Sequence, residues 1–309
     1  MRIVRTLTLI FIISAINLSA QQKQVCVTVD DLPVVSYGRP TQEFLEEVTN
    51  KLIATFDSHS IPAIGYVNEK KLYVNGLLDQ DKVNLLELWL SAGYELGNHT
   101  YSHPSYHRTS FDDFKEDVMK GEIVTRPLTN KYDKNIKYFR HPYLQVGKTK
   151  GAADSLSNFL KSKGYIEAPV TIDPDDYLFA KHYQTALNKG DSVSAKKVAQ
   201  AYLTHVESKI QFYENVSQQL FGTNISHTLL IHANLLNADY LDEIAEIFKR
   251  NGYTFISQRK VLEDKLYQEP ITKFGNWGIS WMDRWAISRE RYDLLKDDPR
   301  VSEFIIGSE

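Results

Sequence analysis

Val25-Cys26-Val27-Thr28-Val29-Asp30-Asp31 decides the fold. Its apolar and β-branched part, Val25 to Val29, reads as a short strand, and the strand ends in two adjacent carboxylates just before Pro33. Six further segments read the same way: Pro62 to Val67, Tyr94 to Gly97, Ile136 to Phe139, Tyr165 to Ile172, Thr228 to Ile231 and Tyr253 to Ile256. Helical patterns separate them. Thr41 to Phe56 places Phe44, Val48, Leu52 and Phe56 on one face at four-residue spacing. Lys82 to Ala92, Ala152 to Lys163 and Asp239 to Asn251 each stop at a glycine: Gly93, Gly164 and Gly252. Strand and helix in alternation predict an α/β fold with parallel strands and right-handed crossovers.

The chain has 309 residues, 42% apolar and 24% charged, which excludes a disordered tail, a collagen-like repeat or a disulfide-built miniprotein. A net charge of -3 argues against a nucleic-acid partner, because phosphate binding needs a basic surface. With Cys26 as the single cysteine, any metal site has to be built from His and carboxylates.

Arg2 and Arg5 precede an apolar run from Leu7 to Ile16 that closes on Asn17-Leu18-Ser19-Ala20. Residues 1–20 read as a signal peptide cleaved after Ala20, which makes the protein secreted or periplasmic. The run is well short of the roughly 20 residues that span a bilayer, so no stable membrane anchor is expected.

Between the fifth and sixth strands lies a long connection. Val198, Tyr202, Val206, Ile210 and Tyr213 form one stripe on a helix from about Val193 to Leu220, read as a packing helix of the same domain. Residues 271–309 are aromatic and charged, with Trp277, Trp281 and Trp285 at four-residue spacing. They are expected to form an extension packed on a domain spanning 21–270, a size usual for one α/β barrel.

Five clusters fall at the C-terminal ends of the expected strands, where βα folds build their sites. They are Thr28-Val29-Asp30-Asp31; His99-Thr100-Tyr101-Ser102-His103; Arg140-His141-Pro142-Tyr143; Asp173-Pro174-Asp175-Asp176-Tyr177; and Leu229-Leu230-Ile231-His232. Two carboxylates let one hold a metal while the other moves a proton. In a helical turn, His99 and His103 would share a face and reach one ion. Each cluster alone is unremarkable as a turn, a salt bridge or a structural histidine; their common placement is not.

In this order the clusters resemble the five motifs of the polysaccharide deacetylases, carbohydrate esterase family 4 with its NodB-homology domain. The resemblance covers about residues 25–260. It implies an irregular (β/α)7 barrel and a divalent metal, usually zinc, bound by Asp31, His99 and His103. It implies metal-bound water as nucleophile, Asp30 as base, His232 as acid, Arg140 orienting Asp30, and Asp176 pairing with His232. The Tyr143 backbone N–H would stabilise the oxyanion, Leu230 would line the acetyl pocket, and Tyr177 stands where the family usually has Trp. His141 replaces a frequent Pro and is expected to add a polar contact near the metal. The implied substrate is an N- or O-acetylated glycan; a non-sugar amide hydrolase and a non-catalytic glycan binder using the three tryptophans are the alternatives.

Overall fold

The computed structural model describes residues 22–306 apart from Arg39. The expected signal peptide, residues 1–20, lies outside them. No helix among the described residues is long and apolar enough to cross a membrane.

The first strand, β1 (Lys23–Leu32), is buried from Val25 to Asp30 and is bonded on both sides. After it come β2 (Ile64–Val67), a small antiparallel hairpin of β3 (Tyr73–Val74) and β4 (Leu77–Leu78), β5 (Glu95–Asn98), β6 (Tyr138–Phe139), β7 (Ile166–Glu167), β8 (His227–His232) and β9 (Tyr253–Phe255). The main sheet runs β7-β6-β5-β2-β1-β8, and β9 pairs with the first residues of β1. Its strands are parallel throughout. All seven expected strands are present, and the result is a curled parallel α/β sheet of the irregular barrel type.

One of them differs in kind. The segment expected as a single strand over Tyr165 to Ile172 is interrupted: β7 pairs with β6, while Ile172 bridges Leu229 of β8. Pro169 lies between the two halves and has no N–H to give a ladder. Beyond it, Thr171 and Ile172 both donate to the Thr228 carbonyl, at 3.1 and 3.0 Å, and Leu230 donates back to Ile172 at 3.0 Å. The broken strand thus touches both edges of the sheet and draws it closed.

Outside the sheet lie α1 (Gln42–Ser58), α2 (Gln80–Ser91), α3 (Phe111–Lys120), α4 (Thr125–Asn130), α5 (Lys150–Ser162), α6 (Asp176–Asn188), α7 (Ser192–Phe221), α8 (Leu235–Arg250), α9 (Gln258–Val261), α10 (Trp281–Ser288) and α11 (Glu303–Ile306). The Thr41 hydroxyl accepts from Phe44 N at 3.3 Å and caps α1. Gly164 and Gly252, at φ 80° and 82°, take the left-handed turn that follows α5 and α8. The stripe Val198, Tyr202, Val206, Ile210 and Tyr213 on α7 is buried against the core.

In the C-terminal segment, α10 begins at Trp281, so Trp277 lies outside the helix and the three tryptophans do not form one stripe. Trp281 N donates to Val170 O at 2.7 Å. Trp285 is fully buried, its Nε1 bonded to Glu269 O at 2.9 Å and its ring against Phe221 and Tyr267. Truncating a buried Trp leaves a cavity, so Trp285→Ala should lower unfolding free energy by about 3–5 kcal/mol. Denaturant melts of that variant beside Trp277→Ala, whose half-buried ring should cost clearly less, check the packing; equal losses would contradict it.

Candidate active site

Strand pairing sets the centre of the site. In the register of β1 with β8, Asp30 lies beside His232. The strand β5 ends at Asn98 and delivers His99, and β6 ends at Phe139 and delivers Arg140. The Asn98 side chain, fully buried, donates to Val118 O at 2.9 Å and to Tyr165 OH at 2.7 Å, and its Oδ1 accepts from Thr100 N at 2.6 Å.

The segment from His99 to His103 is not the helical turn expected from the i, i+4 spacing. Thr100 and His103 sit at φ 67° and 56°, and the loop between them carries no helix. Local hydrogen bonds shape it instead: Thr100 Oγ1 accepts from His103 N at 3.0 Å, and Asp117 of α3 accepts from Tyr101 N and Ser102 N, each at 2.9 Å. The two rings still meet, with centroids 4.8 Å apart.

Asp31, His99 and His103 form the candidate metal centre. One ligand atom of each lies within 4.8 Å of the others. Asp31 Oδ1 is buried without a hydrogen-bond partner and faces the Nε2 atoms of His99 and His103 at 3.7 and 3.9 Å. Distances of this size around an orphaned carboxylate oxygen leave room for one ion between the three groups. His99 Nδ1 donates to Arg140 O at 2.8 Å, which fixes the lone pair on Nε2. Burial, with the second imidazole beside it, pushes His99 well below the usual imidazole range, and burial lowers His103 too. Both are therefore neutral, as ligation requires. Burial raises Asp31, but Lys71 and the neighbouring histidines outweigh it and hold the carboxyl well below the usual range. Donor set and spacing fit a divalent cation.

Asp30 is 2% exposed. Burial pushes its carboxyl up to about 6 against the pull of Arg140 and His232. Arg140, fully buried, sets its Nε 3.4 Å from Asp30 Oδ1, donates from Nη2 to Thr28 Oγ1 at 2.8 Å and stacks its guanidinium over Tyr66. Asp176 opens α6 after Asp175, which sits at φ 51°. Its Oδ1 accepts from His232 Nδ1 at 2.6 Å, and its Oδ2 from His232 N at 2.9 Å, Asn234 Nδ2 at 2.8 Å and Asn237 Nδ2 at 2.5 Å. Burial opposes the charged imidazole, but Asp176 and, behind it, Asp31 and Asp30 win, and His232 is pushed up to about 10. Burial and Asp175 together raise Asp173.

Tyr143, at φ 55°, lays its half-exposed ring 4.4 Å from that of His103. Leu230 is buried in β8, and the ring of Tyr177 stands 6.2 Å from His232, its carbonyl accepting from Tyr37 OH at 2.9 Å. His141 departs from its expected place near the metal: its Nε2 turns to Glu167 Oε2 at 2.7 Å and its ring faces Trp281. The five clusters therefore converge, with His141 the member directed elsewhere.

Several contributors were given no role from the sequence. Thr28 bridges Arg140 and the Leu229 carbonyl. Asn234 and Asn237 complete the shell of Asp176. Lys209, on the buried side of α7, reaches Asp175 at 3.6 Å and Asp298 at 2.8 Å. Lys71 contacts Asp31. From the C-terminal segment, Arg284 donates to Leu144 O at 2.7 Å, and a Cβ on Gly278 would fall 1.9 Å from Tyr143 O, so only glycine permits that approach.

An ionised Asp31 with two neutral histidines, beside a carboxylate held by arginine and an imidazolium held by aspartate, places a candidate cation site next to a candidate base and acid on a parallel barrel. A family described as Polysaccharide deacetylase matches residues 17–159, a stretch holding the first three clusters. Over that stretch, a little under half of its length, the chain matches the polysaccharide deacetylase family.

No curated protein matches the sequence. Among solved structures, the fold is similar to wild-type BA3943 of Bacillus anthracis, described as a CE4 family pseudoenzyme, at 16% identity and TM-score 0.53, over 78% of this chain and 66% of that one. It is similar to the polysaccharide deacetylase Bc1974 of Bacillus cereus at 18% identity and TM-score 0.51, over 76% and 92%. The Bc1960 peptidoglycan N-acetylglucosamine deacetylase gives 18% and 0.51, over 79% and 90%. At these identities the likeness establishes the fold.

The His232–Asp176 pair has a consequence for stability. Folded His232 titrates near 10, whereas an unfolded histidine titrates near 6.5, so the pair's contribution is complete below about pH 6.5 and is lost as pH rises through about 10. Over that window the native state holds about one extra proton, a slope of roughly 1.4 kcal/mol per pH unit. Melts from pH 6 to 10 should show Asp176→Asn losing stability less steeply than wild type; parallel curves would contradict the assignment.

Proposed function

We propose that this protein is an exported, metal-dependent deacetylase that removes N- or O-acetyl groups from a carbohydrate. The observation that carries the reading is the adjacency of Asp30 and His232 on paired strands, one raised toward neutrality and the other kept cationic, beside the Asp31, His99 and His103 donor set. Two titratable groups pushed apart in this way divide the roles of base and acid.

Asp31, His99 and His103 would hold a divalent cation, which we take to be zinc, and when bound it would supply Lewis-acid polarisation of the acetyl carbonyl and lower the pKa of water there. Asp30 accepts the proton of the attacking water, and Arg140 fixes the carboxylate for that transfer. The loop at Tyr143, held in a left-handed turn, offers its backbone N–H to the developing oxyanion. With Nδ1 engaged by Asp176, His232 donates from Nε2 to the departing amine or alcohol. Leu230 lines the acetyl pocket, and Tyr177 at the rim faces the sugar.

The export reading rests on the pattern of residues 1–20. Together, the family and an export signal favour an envelope or extracellular glycan over a cyclic amide. The test is acetate release from N-acetylated and O-acetylated oligosaccharides, with cyclic amides as the contrast set. Wild type should turn over one of the glycan classes, and Asp30→Ala and His99→Ala should each lose about 10²–10⁴-fold in kcat. Acetate release by Asp30→Ala at the wild-type rate would sink the mechanism. Glycan affinity without turnover in a metal-loaded protein would favour the binding protein instead.

A further inference from the structure

Lys71 stands where a cation site has no evident use for a lysine. Its Nζ lies 2.8 Å from the Asp31 carbonyl oxygen and 3.3 Å from Asp31 Oδ2. The other carboxylate oxygen, Oδ1, faces the two histidine Nε2 atoms. One carboxylate is thereby divided between a resident ammonium and the space between the three metal donors.

The lysine is placed there by the fold. It sits in a short 3-10 turn, Glu69–Leu72, anchored on several sides. Asn68 N donates to Leu32 O at 3.2 Å, Asn68 Nδ2 to His99 O at 2.5 Å, and Lys70 N to Tyr101 O at 2.9 Å. Glu69, fully buried, accepts from Val124 N at 3.0 Å and Thr125 N at 2.5 Å, and Leu72 is sealed in the core. These bonds fix the turn to the end of β1, to the loop carrying both histidines and to the start of α4. By contrast Lys70, one residue away, is exposed.

We propose that Lys71 is a positioning residue for the metal ligand Asp31. Its ammonium engages Oδ2, so Asp31 meets the ion through Oδ1 alone, and its fixed charge tempers the hold on a divalent cation. A one-oxygen carboxylate leaves coordination positions open for water and substrate, which a site with a two-oxygen ligand would fill. The inference rests on the metal reading above and adds to it a residue that the family motifs do not contain.

Charge decides the direction of the test. A unit positive charge beside a divalent one is repelled even at an effective dielectric of about 20, so neutralising it should tighten metal binding by about tenfold or more. The measurement is Zn²⁺ affinity of the metal-free full chain by competition with a chromophoric chelator, with circular dichroism to confirm folding. Lys71→Met should bind Zn²⁺ at least tenfold more tightly than wild type, Lys71→Arg within about threefold of it, and Lys70→Met unchanged. Should Lys71→Met not fold, Lys71→Gln, which keeps a donor without the charge, carries the same expectation. Equal or weaker binding by a folded, uncharged variant overturns the proposal while leaving the metal site standing. A different failure, wild-type affinity unchanged by His99→Ala, overturns the metal reading itself.

Discussion

Asp30 and Asp31 bring two negative charges to the end of a strand whose body is buried, and an unpaired buried carboxylate costs several kcal/mol. Much of the surrounding architecture answers that cost. Arg140 arrives from β6 with no exposed surface, Lys71 from the turn after β2, and His232 from the neighbouring strand β8, each bringing positive charge to one or both carboxylates. His232 carries its charge because Asp176, itself saturated by three N–H donors from β8, the Asn234 cap and α8 besides the imidazole, sits behind it. The three cations come from separate parts of the chain, so the compensation exists only in the folded barrel. A divalent ion would add positive charge beyond neutrality, which suits a reaction that develops an oxyanion.

The strands and helix stops were legible because they are local: β-branched runs, four-residue apolar spacing and glycines after helices act over a few residues. So were the five clusters, because each is contiguous in sequence. The His99 to His103 segment was legible in its outcome but not in its shape. An i, i+4 spacing fits a helical turn, whereas here the left-handed residues Thr100 and His103 and the carboxylate of Asp117 on α3 bring the rings together. The strand break at Pro169 was visible as a residue, but that its two halves serve opposite sheet edges depends on closure of the whole barrel.

What stayed hidden shares one physical cause. Lys71, Asn234, Asn237, Lys209 and Arg284 act through contacts with residues distant in sequence, and nothing in a lysine's neighbours announces that its ammonium will meet an aspartate forty residues away. His141 shows the converse. Its place beside Arg140 pointed to the metal, but the β6–β7 pairing lays Glu167 within reach and the ring turns there. Sequence proximity set the expectation, and strand register decided the outcome.

The contact of Gly278 with the Tyr143 carbonyl, together with the bond from Arg284 to Leu144, makes the segment around α10 part of the support of the Tyr143 loop. Both residues are synthesised after every strand of the barrel. A nascent chain can pair its sheet and gather its histidines while Tyr143 still lacks the surface that holds it. A segment made after the whole sheet is then the one that braces the loop, so a partly made barrel can gather Asp31, His99 and His103 before Tyr143 has its support.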